Sequence, residues 1–320
     1  MQIMDISFVI PCYCSESNIN SVINKIYGSM NQKPEKTFEI ILVNDNSLDG
    51  TWKKILELTK EHKEITGINF SNNFGQHNAL MAGFKCSSGK LVVTSDDDGQ
   101  TPIEKVWEFE EKINAGFDVV CAKYVERRRK GVSRKIGTFM NEYMLRKMLG
   151  KPSNVSMTAF FMAKRFVIDE ICRYEQAYPY IAGLLLRTTK NIANIEMVQE
   201  ERMSGSSGYS LRKLLRLWVN GFTSFSIKPL RFFVKLGFSV SFIGFIVGAS
   251  VILRKIFNPS MVVAGYTSMI AVMCILGGFN LAVVGMVGEY VGRIYMCSNS
   301  QPQFVVKNYA IGGEEKDELC

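Results

Sequence analysis

Residues Val92–Phe109 read VVTSDDDGQTPIEKVWEF. An apolar, β-branched run stops at three consecutive aspartates, and a helical pattern starts a few residues later. Thr101 as N-cap, Pro102 at the first helical position and Glu104 at the capping-box position predict the helix start and leave 96–100 as a loop between strand and helix. Aspartate is a good turn former, so a solvated acidic turn is the bland reading. Adjacent carboxylates at the end of a buried strand raise one another's pKa and strain the loop. If Asp96 and Asp98 face one way, Asp97 must face another. Two carboxylates at alternate positions suit Mg2+ or Mn2+, with a nucleotide diphosphate supplying further oxygens.

The same unit recurs around this stretch. Apolar, β-rich runs stand at Ile6–Ile10, Phe38–Val43, Ile65–Phe70, Leu91–Thr94 and Phe117–Cys121, with helical stretches at Ser17–Tyr27, Thr51–His62 and Gln76–Phe84 between them. Such alternation predicts an α/β fold, a mainly parallel sheet with helices on both faces. Ligands bind such sheets beyond the carboxyl ends of the strands. The polar motifs fall at those ends: PCYCSESN with Pro11, Tyr13 and Glu16, NDNSLDGT with Asp45, and the triple aspartate.

Later, the composition changes. Of 320 residues 47% are hydrophobic, and the excess is concentrated late in the chain. Leu236–Leu253 carries no charge, nor does Ile256–Gly288, where Asn258-Pro259 breaks the start. Each is long enough to cross a bilayer as a helix, which takes about 20 apolar residues. The predicted organisation is a catalytic domain over 1–209 and an amphipathic juxtamembrane segment over 210–235. A transmembrane hairpin over 236–288 (spans 236–254 and 262–288) and a cytoplasmic tail over 289–320 complete it. Basic residues flanking the hairpin outnumber those in its turn, which puts the first 230 or so residues on the cytoplasmic side of the inner membrane. The net charge of +8 sits beside these segments, which favours a lipid bilayer and phosphorylated partners over nucleic acid. Eight scattered cysteines without zinc-type spacing, and no leader at the N-terminus, fit a reducing compartment.

The blocks FVIPCYCSESNI, VNDNSLDGTW, NNFGQHNALMAGF and SDDDGQTP together resemble the signature of family 2 glycosyltransferases with a GT-A (Rossmann-like) fold. Within that family the chain is most similar to polyprenyl-phosphate glycosyltransferases, through ERMSGSSGYSLRKLLRLW and the two-helix tail ending GEYVGRIY. The resemblance implies a nucleotide-sugar donor, UDP-linked, a polyprenyl-phosphate acceptor, a divalent cation and inversion at the anomeric carbon, and it is compatible with a homo-oligomer. Carried over, it puts Pro11, Tyr13, Glu16 and Asp45 around the nucleotide base, Gln76 and Gln100 beside the donor, and Asp96 and Asp98 on metal and diphosphate. Arg202, Ser207 and Tyr209 match an R-x-x-G-x-S-x-Y block beside the phosphates, and Asp98 and Arg202 are the expected catalytic pair. Departures are Cys14 where Asn is usual, Asp97 and Gly99 where Ala and Leu are usual, and Val155–Arg165, which lacks a carboxylate that several relatives carry.

That last loss is tolerable on chemical grounds. A phosphate monoester has a second pKa of about 6, so the acceptor is already an anionic nucleophile and needs no base. Fixed positive charge must hold two phosphorylated partners together, for which Arg127, Arg128, Arg134 and Lys213 are candidates beside Ser207 and Tyr209. Two other readings stand: transfer to a sugar hydroxyl of a lipid-linked saccharide, which needs a protein base, and a non-catalytic membrane scaffold. The expected mutational pattern is loss of transfer in Asp98→Ala and little effect in Asp97→Ala.

Overall fold

The computed structural model describes residues 4–125, 146, 150–176, 178–198, single positions between 236 and 257, 266–298 and 302–318. The chain divides into two units, one made of 1–221 with 300–320 and the other of 222–299.

The first unit is built on β1 (Ile6–Cys12), α1 (Ile19–Met30), β2 (Phe38–Asn44), α2 (Thr51–Glu61), β3 (Ile65–Phe70), α3 (Gln76–Cys86) and β4 (Leu91–Thr94). These are the strands and helices predicted from periodicity, displaced by a few residues at most. β1 is buried along its whole length, as a central strand covered on both faces must be. Neighbouring strands run in the order β3-β2-β1-β4, all parallel. The crossovers therefore reverse direction between β1 and β4, and that switch point opens a crevice at their carboxyl ends. Gly83 lets α3 lie against the sheet, since a Cβ there would collide with Val9.

Pro11 lies inside β1, an unusual place for a residue without an N–H. The Cys12 carbonyl accepts from the Asp45 N–H on the β2 side, so Pro11 faces the other side, past the last β4 pair at Val9 and Thr94. No ladder bond is lost.

The helix start after the aspartates differs from the expected one. A 3-10 turn (Ile103–Lys105) comes first, α4 (Val106–Asn114) follows, and no side chain caps either. Pro102 has ψ of 78°, outside the helical region, and Thr101 and Ile103 are buried. Burial of these two side chains overrides the capping box.

Beyond the fifth strand, four were not read from the sequence. β5 (Val119–Tyr124) is followed by β6 (Phe161–Lys164), which runs antiparallel between β4 and β5. α5 (Arg165–Cys172) and α6 (Ile181–Thr188) come next, then β7 (Ile192–Met197), parallel to β5 at the sheet edge. β8 (Val306–Ile311) and β9 (Glu314–Lys316) lie in the stretch expected as a tail, and β8 pairs antiparallel with β3.

In the second unit the described element is α7 (Tyr266–Ser298), 33 residues that cover most of the second expected span. Only part of its side chains are described, and among the described residues no helix is long and apolar enough to cross a membrane. The two-helix anchor is therefore not seen, and its first expected span lies mostly outside the described residues.

Candidate active site

The loop after β1 has its backbone held by side chains from its neighbours. The Tyr13 N–H donates to Asp97 Oδ2 at 2.9 Å, that of Cys14 to Ser47 Oγ at 3.0 Å, that of Ser15 to Thr51 Oγ1 at 2.9 Å and that of Glu16 to Asp49 Oδ2 at 3.3 Å. Four successive amides are thus anchored, two from the loop after β2, one from the first residue of α2 and one from the loop after β4. Cys14 sits at φ of 53°, the left-handed region that Asn tolerates better than Cys; these anchors hold it there. The Tyr13 ring is about half exposed at the crevice, free to lie against a planar base.

Glu16 and Asp45 are committed to the protein itself. Glu16 Oε2 accepts the Gly50 N–H at 2.9 Å. Buried Asp45 accepts the N–H of Phe74 at 2.7 Å and of Gly75 at 2.8 Å, one on each carboxylate oxygen. Burial pushes its carboxyl above the usual range, and the two amides pull it back. The pair fixes the turn into α3, where Gly75 has φ of 89°. Asp45 therefore shapes the donor side of the crevice through the backbone of 74–75.

The loop after β4 divides its three carboxylates. Gln76 Nε2, from the first turn of α3, donates to Asp96 Oδ1 at 2.8 Å. The Gln100 N–H donates to Asp98 Oδ1 at 3.0 Å, and the Lys25 ammonium of α1 donates to the Gly99 carbonyl at 2.8 Å. Gly99 has φ of 72°, a conformation in which the usual Leu would be strained. Tyr124, at the carboxyl end of β5, has its hydroxyl pKa raised by burial first and then by Asp96 and Asp98. Asp97 has its carboxyl raised by burial, with the Tyr13 N–H opposing. Asp96 is thus tied to α3 and Asp98 to its own loop, while Asp97 points to the loop after β1.

That division is what a divalent cation requires. Among the described residues no group of three or more His, Cys, Asp or Glu could hold a metal alone. A site of two carboxylates suits a cation that takes its remaining oxygens from a diphosphate and water. The residues present fit Mg2+ or Mn2+ on those terms.

The segment lacking the family's carboxylate has its polar group occupied. Thr158 Oγ1 lies 3.0 Å from the Ala122 carbonyl and 3.1 Å from that of Phe160, so its single proton is turned to the backbone. Burial holds the His77 imidazole down to about 4, and its ring meets Tyr180 edge-on with centroids 5.6 Å apart. Its geometry is that of a packed aromatic.

Pro11, Tyr13, Glu16, Asp45, Gln76, Asp96, Asp98 and Gln100 are brought to one end of the sheet. Arg127, Arg128, Arg134, Arg202, Ser207, Tyr209 and Lys213 lie outside the described residues. Sequence reasoning missed Lys25, Asp97 as an anchor, and Tyr124. Only Tyr124 had a signal, its place at the carboxyl end of a strand.

Comparison with known proteins gives a consistent picture. Residues 7–172 match the family described as Glycosyl transferase family 2. The chain is 33% identical over 309 residues to the bactoprenol glucosyl transferase of Shigella phage SfV, covering 95% of this chain and 99% of that one. It is 29% identical over 308 residues to the undecaprenyl-phosphate 4-deoxy-4-formamido-L-arabinose transferase of Proteus mirabilis, covering 96% and 94%. Among solved structures, glucosyl-3-phosphoglycerate synthase of Mycobacterium tuberculosis, in complex with Mn2+, UDP and glucosyl-3-phosphoglycerate, superposes with a TM-score of 0.51. That match has 19% identity and covers 69% of this chain and 78% of that chain. The fold is GT-A-like.

Proposed function

The chain belongs to glycosyl transferase family 2, and from that premise we propose that it moves a sugar from a nucleotide-sugar, UDP-linked, to the phosphate of a polyprenyl lipid. The observation that carries the donor half is the loop after β4 at the sheet's switch point, where Gln76 meets Asp96, the Gln100 N–H meets Asp98 and Asp97 is turned to the Tyr13 N–H. The acceptor half rests on relatives that match this chain end to end and are named for bactoprenol and undecaprenyl phosphate.

Asp96 and Asp98 would hold Mg2+ or Mn2+, which when bound supplies Lewis-acid stabilisation of the departing nucleotide diphosphate. Gln76 orients Asp96 through its 2.8 Å bond, and Lys25 with the Gln100 amide sets the loop that carries Asp98. Tyr13 offers its ring to the base. The acceptor phosphate attacks as an anion and no proton leaves it, in keeping with the turned-in Thr158 hydroxyl. In-line attack inverts the anomeric carbon. Arg202 and the basic residues 127, 128, 134 and 213 would balance the phosphates.

We place the reaction at the cytoplasmic face of a membrane. The support is the sequence: the two uncharged stretches 236–253 and 256–288 are each long enough for the roughly 20 apolar residues that a span takes, and α7 runs 33 residues over most of the second. Its sequence is uncharged from Tyr266 to Gly288, and Met273, Leu281 and Ile294 are among its exposed side chains.

The acceptor is tested by offering purified protein and donor either polyprenyl phosphate or a lipid-linked saccharide. A product in which the sugar is joined to the lipid phosphate, labile to mild acid, supports the reading. Transfer to the saccharide hydroxyl alone would replace it.

A further inference from the structure

Asp97 has no part in the cation pair, yet it is the aspartate with the most specific contact. It is the middle of the three consecutive aspartates. Its Oδ2 takes the N–H of Tyr13 at 2.9 Å across 84 residues of chain. That bond spans the crevice between the carboxyl ends of β1 and β4, the strands between which the crossovers reverse. The three other anchored amides of the 13–16 loop are held from the loop after β2 and the start of α2. Of these four bonds, that of Asp97 joins the metal-side loop to the base-side loop.

We propose that Asp97 is a positioning residue that sets the main chain of Tyr13 against the Asp96–Asp98 loop, so that base and diphosphate are received in register. The inference rests on the nucleotide-sugar reading. The Asp97 carboxylate is half-buried, with Cys12 and Ser15 as neighbours. Its contacts are to the loop after β1, so it holds geometry through the main chain. Lys25 steadies the same loop from the other side through the Gly99 carbonyl. With Ala at 97, Lys25 would still hold the loop after β4, and the ties to Tyr13 and Ser15 would go.

Three proteins test this: wild type, Asp97→Ala and Asp97→Asn, the last keeping an acceptor oxygen without the charge. Hydrogen exchange reads the Tyr13 amide directly, calorimetry reads UDP and GDP affinity with Mn2+, and steady-state transfer separates KM from kcat. The expected result is faster exchange at Tyr13 in Asp97→Ala and about a tenfold rise in donor Kd and KM, the size of losing one hydrogen bond to a charged acceptor. kcat should stay within about threefold, and Asp97→Asn should recover most of both losses. Unchanged exchange and affinity in Asp97→Ala would overturn the proposal, as would an Asp97→Asn protein as impaired as Asp97→Ala. A wild type that binds no nucleotide would instead sink the nucleotide-sugar reading, and this inference with it. A melting temperature shared by all three proteins excludes global unfolding as the cause.

Discussion

At the residue scale, the crevice works by committing carboxylates to separate tasks. Asp45 gives both oxygens to the amides of Phe74 and Gly75, Glu16 reaches Gly50, and Asp97 reaches Tyr13. Asp45→Asn keeps the shape of the side chain but presents an NH2 to one of two buried amides. It should cost about 2 kcal/mol in stability, the penalty of an unpaired buried donor, and should raise donor KM by loosening the turn into α3. Thermal unfolding and donor titration check both; a silent Asp45→Asn would mean that the turn holds itself. The residue pattern expects Asp97→Ala to have little effect on transfer, whereas the proposed tie to Tyr13 predicts a rise in donor KM, because the pattern showed which way Asp97 could not face but not what it would meet.

At the element scale, α4 is fastened by Glu110. Its buried carboxylate takes Lys33 at 2.9 Å and Lys36 at 2.6 Å, and Lys33 also lies 4.2 Å from the centre of the Trp107 ring. The Glu110 carboxyl is pulled below its usual 4.5 because the bonds to Lys36 and then Lys33 outweigh the upward push of burial. A depressed carboxyl stabilises the fold above its unfolded pKa, and the contribution disappears as pH falls through the folded value. Glu110→Gln should therefore lower stability by about 1–3 kcal/mol at pH 7 and match wild type once pH is well below 4.5. Denaturant melts at the two pH values decide it, and a constant difference would rule out an ionic origin.

The returning strands make a second test at this scale. Gly67 of β3 faces α2 and β8 so closely that an added Cβ would stand 2.5 Å from Ile55 Cγ2 and 2.9 Å from Ala310 Cβ. Gly67→Val should cost about 1–3 kcal/mol through overpacking, seen as a lower melting temperature with faster exchange across β8. Equal exchange in β8 would mean that the strand does not depend on this contact.

Legibility followed the range of the interactions. β1 to β4 were readable because each is an apolar run closed by turn residues, and the crevice was readable because parallel strands place their ends together. β6 was missed because Phe161–Lys164 is only four residues long and pairs antiparallel with strands distant in sequence. β8 and β9 were read as tail, although the Gly312-Gly313 pair, at φ of 62° and 84°, is a hairpin signal of the two-glycine kind. The partner of β8, β3, lies more than 200 residues earlier, which no local pattern reports. Tyr13 and Asp97 meet for a similar reason, through the crossover order of the sheet.

At the scale of the whole molecule, the chain leaves the first unit after Gly221 and rejoins it at Ser300. Trp52 Nε1 donates to Glu315 Oε1 at 2.7 Å, the rings of Phe304 and Phe70 stack with centroids 5.2 Å apart, and Gln303 Nε2 donates to the Gln176 carbonyl at 2.9 Å. A segment that starts and ends on one folded body can cross a bilayer only an even number of times. If 222–299 is the membrane segment, a protease site inserted at Phe257 should be cut from the side opposite to one inserted at Gly312. Cleavage of both from one face of sealed vesicles would refute a spanning hairpin.

The measurement that reaches the centre of the account is transfer by detergent-purified wild type, Asp98→Ala and Asp96→Ala, given polyprenyl phosphate and a panel of nucleotide-sugars with and without Mn2+. The account predicts a glycolipid from one donor, formed by wild type only with the cation and lost by at least about 100-fold in either alanine variant. Transfer that survives chelation, or that persists in Asp98→Ala, would contradict it.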